Sequence, residues 1–139
     1  MAVIGWKEIY ATNVVALDNE HRELIDHINL LYEAIRDKRG AEVLGDILAM
    51  LEKYTVEHFA HEEMLMEKYG FSGLEEQKKL HKDLIQAVEE LKEKASVTGP
   101  ETLAPQLLRF LRHWLLDHIV EADKKYGPYL VARGGRFIE

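Results

Sequence analysis

An all-α fold, an up-down-up-down antiparallel four-helix bundle with an N-terminal apolar arm, is predicted by three features of the chain. Apolar residues recur at helical spacing through four long stretches. Glycine and proline fall mainly between those stretches, where helices must stop. The intervening connections are short, which favours antiparallel neighbours in a bundle.

Residues 1–17 form the arm, with Val3, Ile4, Trp6, Ile9, Tyr10, Val14, Val15 and Leu17. A segment so apolar is expected to pack on the bundle. The first helix is expected over about 18–38, with Asp18 as its N-cap and Leu24, Ile28, Leu31 and Ile35 as its stripe. Gly40 is expected to end it. The second spans about 41–69, with Leu44, Ile47, Leu48, Leu51, Tyr54, His58, Met64 and Leu65 in period, and Gly70 stops it. The third spans about 74–96, striped by Leu80, Leu84, Ile85, Val88 and Leu91. Val97-Thr-Gly-Pro100 reads as a turn. The fourth spans about 101–125, through Leu107, Leu108, Leu111, Leu115 and Ile119. Pro105 is expected in its first turn, where an amide needs no intrahelical acceptor. Gly127-Pro128 is expected to close it, leaving 131–139 as a fraying tail and 1–130 as one domain.

The 139 residues suffice for one domain with a real core, and a 47% hydrophobic share argues against disorder. A net charge of −7 argues against nucleic acid and anionic membrane surfaces as partners. The absence of cysteine removes disulfides, iron–sulfur clusters, cysteine zinc sites and thiol catalysis together. The N-terminus does not read as a signal peptide, and no apolar run approaches the ~18 residues that span a bilayer. A cytoplasmic monomer is the expectation.

The chemistry lies in helix-spaced histidines and carboxylates. His58 and Glu62 stand four apart and so share a helix face. His81 and His118 fall on the apolar stripes of their own helices, and His21 lies beside Leu24. A lone helical histidine is usually an ordinary core or surface residue. Four apolar faces that all carry titratable groups at matching heights are different, because a buried unpaired imidazole or carboxylate costs several kcal/mol. A buried metal is the cheaper account. Imidazole nitrogens with carboxylate oxygens suit iron, zinc or manganese. His27, His61 and His113 are expected to be partly exposed bystanders. A ferritin-type site is disfavoured, since no Glu has a His three residues later. His118 and Asp123 are five apart, an offset of about 140° on a regular helix. For both to reach one site the helix must widen locally, as π-type bulges do.

Asp18-Asn-Glu-His21-Arg-Glu-Leu-Ile25, His58-Phe-Ala-His-Glu62-Glu, Gln77-Lys-Lys-Leu-His81 and Trp114-Leu-Leu-Asp-His118-Ile-Val-Glu-Ala-Asp123-Lys-Lys-Tyr126 together resemble the bacteriohemerythrins of the hemerythrin family. The likeness runs from Trp6 to about Leu130. It implies a non-haem di-iron centre whose two iron ions are bridged by oxide or hydroxide, with dioxygen as ligand. One iron would be held by His21 and His58, the other by His81, His118 and a third nitrogen. Glu62 and Asp123 would bridge them.

Here the chain departs from the family, which places a histidine where Gln77 stands. A glutamine oxygen is a neutral, hard donor at the correct spacing to His81, so direct ligation is the first expectation. A water in its place, or a weakly held iron, are the others. The resemblance also implies an oxygen pocket at Leu24, Phe59, Trp114 and Leu115, residues that equally serve as core. The expected function is reversible dioxygen binding, as carrier, store or sensor, rather than catalysis. Gln77 favours the alternative, a di-iron oxidase, peroxidase or nitric-oxide-handling enzyme, because a labile position would admit a further ligand. A mononuclear or zinc-binding bundle is the third possibility.

Overall fold

A computed structural model describes residues 5–137, with the side chains of residues 115–117 outside the description. Four long helices follow one another: α1 (Val15–Arg36), α2 (Gly40–Lys68), α3 (Leu74–Thr98) and α4 (Pro100–Trp114). The fourth rod then widens into a π-helix, Leu115–Asp123, and resumes as α5 (Lys124–Ala132). A 3-10 turn, Glu8–Tyr10, precedes α1. Each helix packs against the next, and α4 returns to α1, which closes a four-helix bundle. No described helix is long and apolar enough to cross a membrane.

The helix ends show where local rules acted. Gly70 takes φ +69° after α2, and the Phe71 amide donates back to the Met66 carbonyl at 2.9 Å. That is a Schellman end, which glycine makes without strain. The same turn ends α1, but Lys38 makes it, at φ 61°, with the Arg39 amide donating to the Ala34 carbonyl. Gly40 therefore opens α2 instead of closing α1. A Cβ there would lie 3.2 Å from the Ala104 methyl, so Gly40 serves close helix packing. Pro105 is also displaced from expectation. With Pro100 as the first residue of α4, Pro105 falls in the second turn. The Glu101 carbonyl loses its helical donor there, and both residues lie on the exposed face.

Asp18 is not an N-cap. It lies one turn inside α1, and its carboxylate accepts from the Thr12 amide, the Thr12 hydroxyl and the Asn13 amide at 2.8–3.1 Å. It ties the arm down. Tyr10, Ala11 and Val14 are buried and Trp6 packs on the core, while Val3 and Ile4 lie outside the described residues. Gly127-Pro128 does not end the fourth rod either, since α5 runs through both. Pro128 falls in the first turns of α5, after the π-helix. Residues 131–137 do not fray as expected: the Gly135 amide donates to Leu130 and the Val15 amide to the Arg136 carbonyl, each at 2.8 Å. Met64, expected on the buried stripe, faces out.

Gly127 is where arm and α5 touch. A Cβ there would lie 2.4 Å from the Thr12 carbonyl oxygen, and backbone cannot swing aside. Gly127→Ala is expected to cost about 1–3 kcal/mol of stability through overpacking, despite alanine's better helix propensity. Urea unfolding of the metal-free protein measures it, and an equal or higher midpoint would refute the close approach.

The apolar interior is split in two. A large cluster holds Leu24, Ile28, Phe59, Leu107 and Trp114 among others. A small one holds Val14, Leu17, Leu65, Met66, Tyr126 and Leu130. Along each rod the split falls at a histidine or carboxylate: His21 lies between Leu17 and Leu24, Glu62 between Phe59 and Leu65, Asp123 between Ile119 and Tyr126. A polar layer is thus sandwiched between two dry ones.

Candidate metal centre

Six titratable residues form that layer: His21 from α1, His58 and Glu62 from α2, His81 from α3, His118 and Asp123 from the π-helix. All are buried, and His21, Glu62 and Asp123 are 0% exposed. They fall into two groups whose ligand atoms lie within 4.8 Å of one another: His21, His58, Glu62 and Asp123, and Glu62, His81, His118 and Asp123. The two carboxylates belong to both. Asp123 sends Oδ2 to His21 Nε2 at 3.2 Å and Oδ1 to His118 Nε2 at 3.0 Å. Glu62 sends Oε1 to His58 Nε2 at 3.0 Å and His81 Nε2 at 3.4 Å. Its Oε2 lies 3.9 Å from His21 Nε2.

The local backbone explains how Asp123 arrives. A helix closing on i→i+5 hydrogen bonds brings residues five apart back over one another. The widening expected between His118 and Asp123 is present as the π-helix.

Outside the six, a ring of polar partners aims the ligands. The Glu20 carboxylate takes His58 Nδ1 at 2.5 Å and His61 Nδ1 at 2.7 Å. Glu63 takes His81 Nδ1 at 2.8 Å. These contacts fix the tautomers of His58 and His81, leaving Nε2 of those two rings to face inward. The Tyr126 hydroxyl donates to Glu62 Oε2, and Tyr54 stacks on His58 with ring centroids 4.9 Å apart. Sequence reasoning missed Glu20, Glu63 and Tyr126 as supports. A signal was available: Glu20 and His21 are adjacent, and Glu63 follows Glu62. Their partners, though, lie 18–64 residues away, beyond any local pattern. His27 and His61 are partly exposed and His113 is exposed, as expected of bystanders. His61 is nonetheless tied to the centre through Glu20.

Gln77 is 3% exposed, one turn before His81 on α3. Its Nε2 donates to the Ala122 carbonyl at 2.9 Å, and its Oε1 has no hydrogen-bond partner. Leu24, Phe59 and Trp114 are all buried in the large cluster. Phe59 lies flat on His81, centroids 4.0 Å apart, and also faces His58 and His118 at 5.9 and 5.8 Å. It thus touches rings of both groups. The Leu115 side chain lies outside the described residues.

The electrostatics are those of a site built around positive charge. Burial alone would lower the His58 imidazole, but the Glu62 charge and the Glu20 hydrogen bond push it up to about 10. Burial likewise opposes protonation of His118, and Asp123 raises it. Burial would raise Glu62, yet the His58 charge and its hydrogen bond hold that carboxyl well below the usual range. Burial and the Glu62 and Asp123 charges push the Tyr126 hydroxyl well up. Two adjacent dry carboxylates demand cations, and in the metal-free chain protons on imidazole supply them.

A metal answers the same demand better. Both Asp123 oxygens, His81 Nε2 and His118 Nε2 are buried without a well-directed hydrogen bond, a cost of roughly 1–3 kcal/mol each. They converge on two shared points, and N/O donor sets of this kind suit iron, zinc or manganese. The donor set fits a pair of cations.

Fold and site together define a helical bundle with a buried cluster of four histidines and two shared carboxylates that could hold metal. A model of the hemerythrin HHE cation binding domain matches residues 12–130. The chain is 33% identical over 133 residues to a bacteriohemerythrin of Methylococcus capsulatus, covering 95% of this chain and 100% of that one. It is 31% identical over 121 residues to a myohemerythrin of Riftia pachyptila, covering 87% and 88%. The crystal structure of a wild-type hemerythrin superposes with a TM-score of 0.77 at 30% identity, covering 91% and 97%. The chain belongs to the hemerythrin family.

Proposed function

We propose that this chain is a non-haem di-iron protein that binds dioxygen reversibly, as a carrier, store or sensor. The sharing of Glu62 and Asp123 between two histidine groups carries this reading, because one metal ion would not need two bridging carboxylates. His21 and His58 would hold one iron, and His81, His118 and Gln77 the other, with Glu62 and Asp123 common to both. When bound, the iron pair supplies the two electrons needed for reversible dioxygen binding.

The chain's own residues do the rest. Glu20 and Glu63 hold His58 and His81 with Nε2 inward, and Tyr126 keeps Glu62 oriented. Leu24, Phe59 and Trp114 exclude water from the pocket, which slows irreversible oxidation. The hydrogen bond of Gln77 supports its role as a ligand. A metal-bound histidine usually donates its second nitrogen to a backbone carbonyl or carboxylate. Gln77 Nε2 does the same toward Ala122 and leaves Oε1 as the free donor.

Residues 1–130 serve as the single domain of this function. The full chain's net charge of −7 argues against nucleic-acid partners, its lack of cysteine fits a cytoplasmic protein, and a lone short domain fits a monomer.

Stopped-flow absorbance of the anaerobic ferrous protein mixed with air tests the proposal. A lasting visible band with two irons per chain is expected. Rapid decay with turnover would make it an enzyme, and no band with one metal per chain would overturn the di-iron assignment. Gln77→His is expected to slow autoxidation, since imidazole donates more strongly than an amide oxygen. An unchanged rate would show that position 77 does not tune the iron.

A further inference from the structure

A surface groove reaches the His118 side of this centre. Between α3 and the π-helix lies a groove of about 480 Å³, floored by Leu80, Leu84, Phe110 and Trp114. Next to it is a void of about 20 Å³ lined by Gln77, Phe71 and Gly73. Glu76, Leu80, Ala122 and Lys125 line both, so the two adjoin. A void of this size accommodates one water-sized molecule. Lys125 Nζ and Glu76 Oε1 stand 3.8 Å apart at the mouth, both well exposed. A pair so exposed is weak and opens readily.

Gln77 gives that void chemical meaning. Its side chain is 97% withdrawn from solvent, the complement of 3% exposure, and its Oε1 is unpartnered. We infer that the groove and void form a small-ligand port to the metal position served by His81 and His118. It admits water or a small anion, and the Gln77 amide is the donor that yields to it. The inference rests on the di-iron reading and deepens it: the second metal position becomes exchangeable, by way of Gln77 rather than past Phe59. An amide oxygen is a weaker base than imidazole, so it is the ligand most easily displaced. The Ala122 carbonyl retains the amide nitrogen, which keeps Gln77 at hand to return. Glu76, Asp83 and Glu121 also line the groove, so Lys125 is what offsets their charge for an approaching anion, and the apolar groove floor bars large hydrated ones.

Azide is the probe, titrated against the oxidised two-iron protein and followed by visible absorbance and calorimetry. The expected result is two azides per chain in the wild type and one in Gln77→His. One azide per chain in a wild type that holds two irons overturns the port and leaves the di-iron centre standing. Fewer than two irons per chain overturns the di-iron reading and the port with it. Lys125→Glu tests the route without touching a ligand or the core. It is expected to slow only the second azide phase, by roughly tenfold at low salt. Equal slowing of both phases, or of neither, overturns the route through the groove.

Discussion

Glu62→Ala is expected to drop iron below two per chain and to abolish the visible band of the oxygenated protein. Glu62 is one of two residues common to both ligand groups, so its loss weakens both positions. It also leaves other groups stranded. His58 Nε2, 3.0 Å away, loses the charge that holds its proton, and the Tyr126 hydroxyl loses its acceptor. Breaking a buried charged pair from one side costs about 3–5 kcal/mol. The metal-free variant should therefore unfold at clearly lower urea as well. Glu62→Gln keeps the shape and a neutral oxygen, so its losses should be smaller on both counts. Iron analysis of anaerobically loaded protein decides the matter: full retention by the alanine variant refutes the bridging role.

Phe59→Ala should have the second large effect, through packing. Phe59 is buried, stacked flat on His81, and edge-on to Trp114 at 5.9 Å. Removing a buried aromatic ring costs about 3–5 kcal/mol, from lost transfer energy and the cavity left behind. It also frees the His81 ring to tilt and lets water reach both groups. Autoxidation should quicken, by roughly tenfold if it scales with the affinity or activity lost when a metal ligand's supports are removed. Phe59→Leu refills most of the volume and should recover stability more than it recovers the slow oxidation rate. If the alanine variant oxidises at the wild-type rate, Phe59 is core alone.

Much of the centre was legible in the chain because helical periodicity is a local property. His58 and Glu62 had to share a face, and His21, His81 and His118 had to sit on apolar stripes. The five-residue gap before Asp123 required a distortion, and the π-helix supplies it. Failures cluster where a residue's role depends on something distant. Asp18 has the composition of a cap, yet Thr12 and Asn13 fold back onto it. Gly127-Pro128 has the composition of a stop, yet the rod continues through both, and Gly127 serves the close approach of the arm instead. Gly40 has the composition of a C-cap, yet Lys38 makes the turn and Gly40 meets Ala104.

By itself the sequence determined which residues face inward, how many rods they form, and which of them can donate to metal. Those properties follow from the period of the helix and the chemistry of each side chain. Only the tertiary structure decided that Glu62 and Asp123 serve both histidine groups, that Glu20 and Glu63 aim the rings, and that Gln77 spends its amide nitrogen on Ala122. Each of these is a contact between different rods, and its distance is set by how the rods pack rather than by spacing along any one of them.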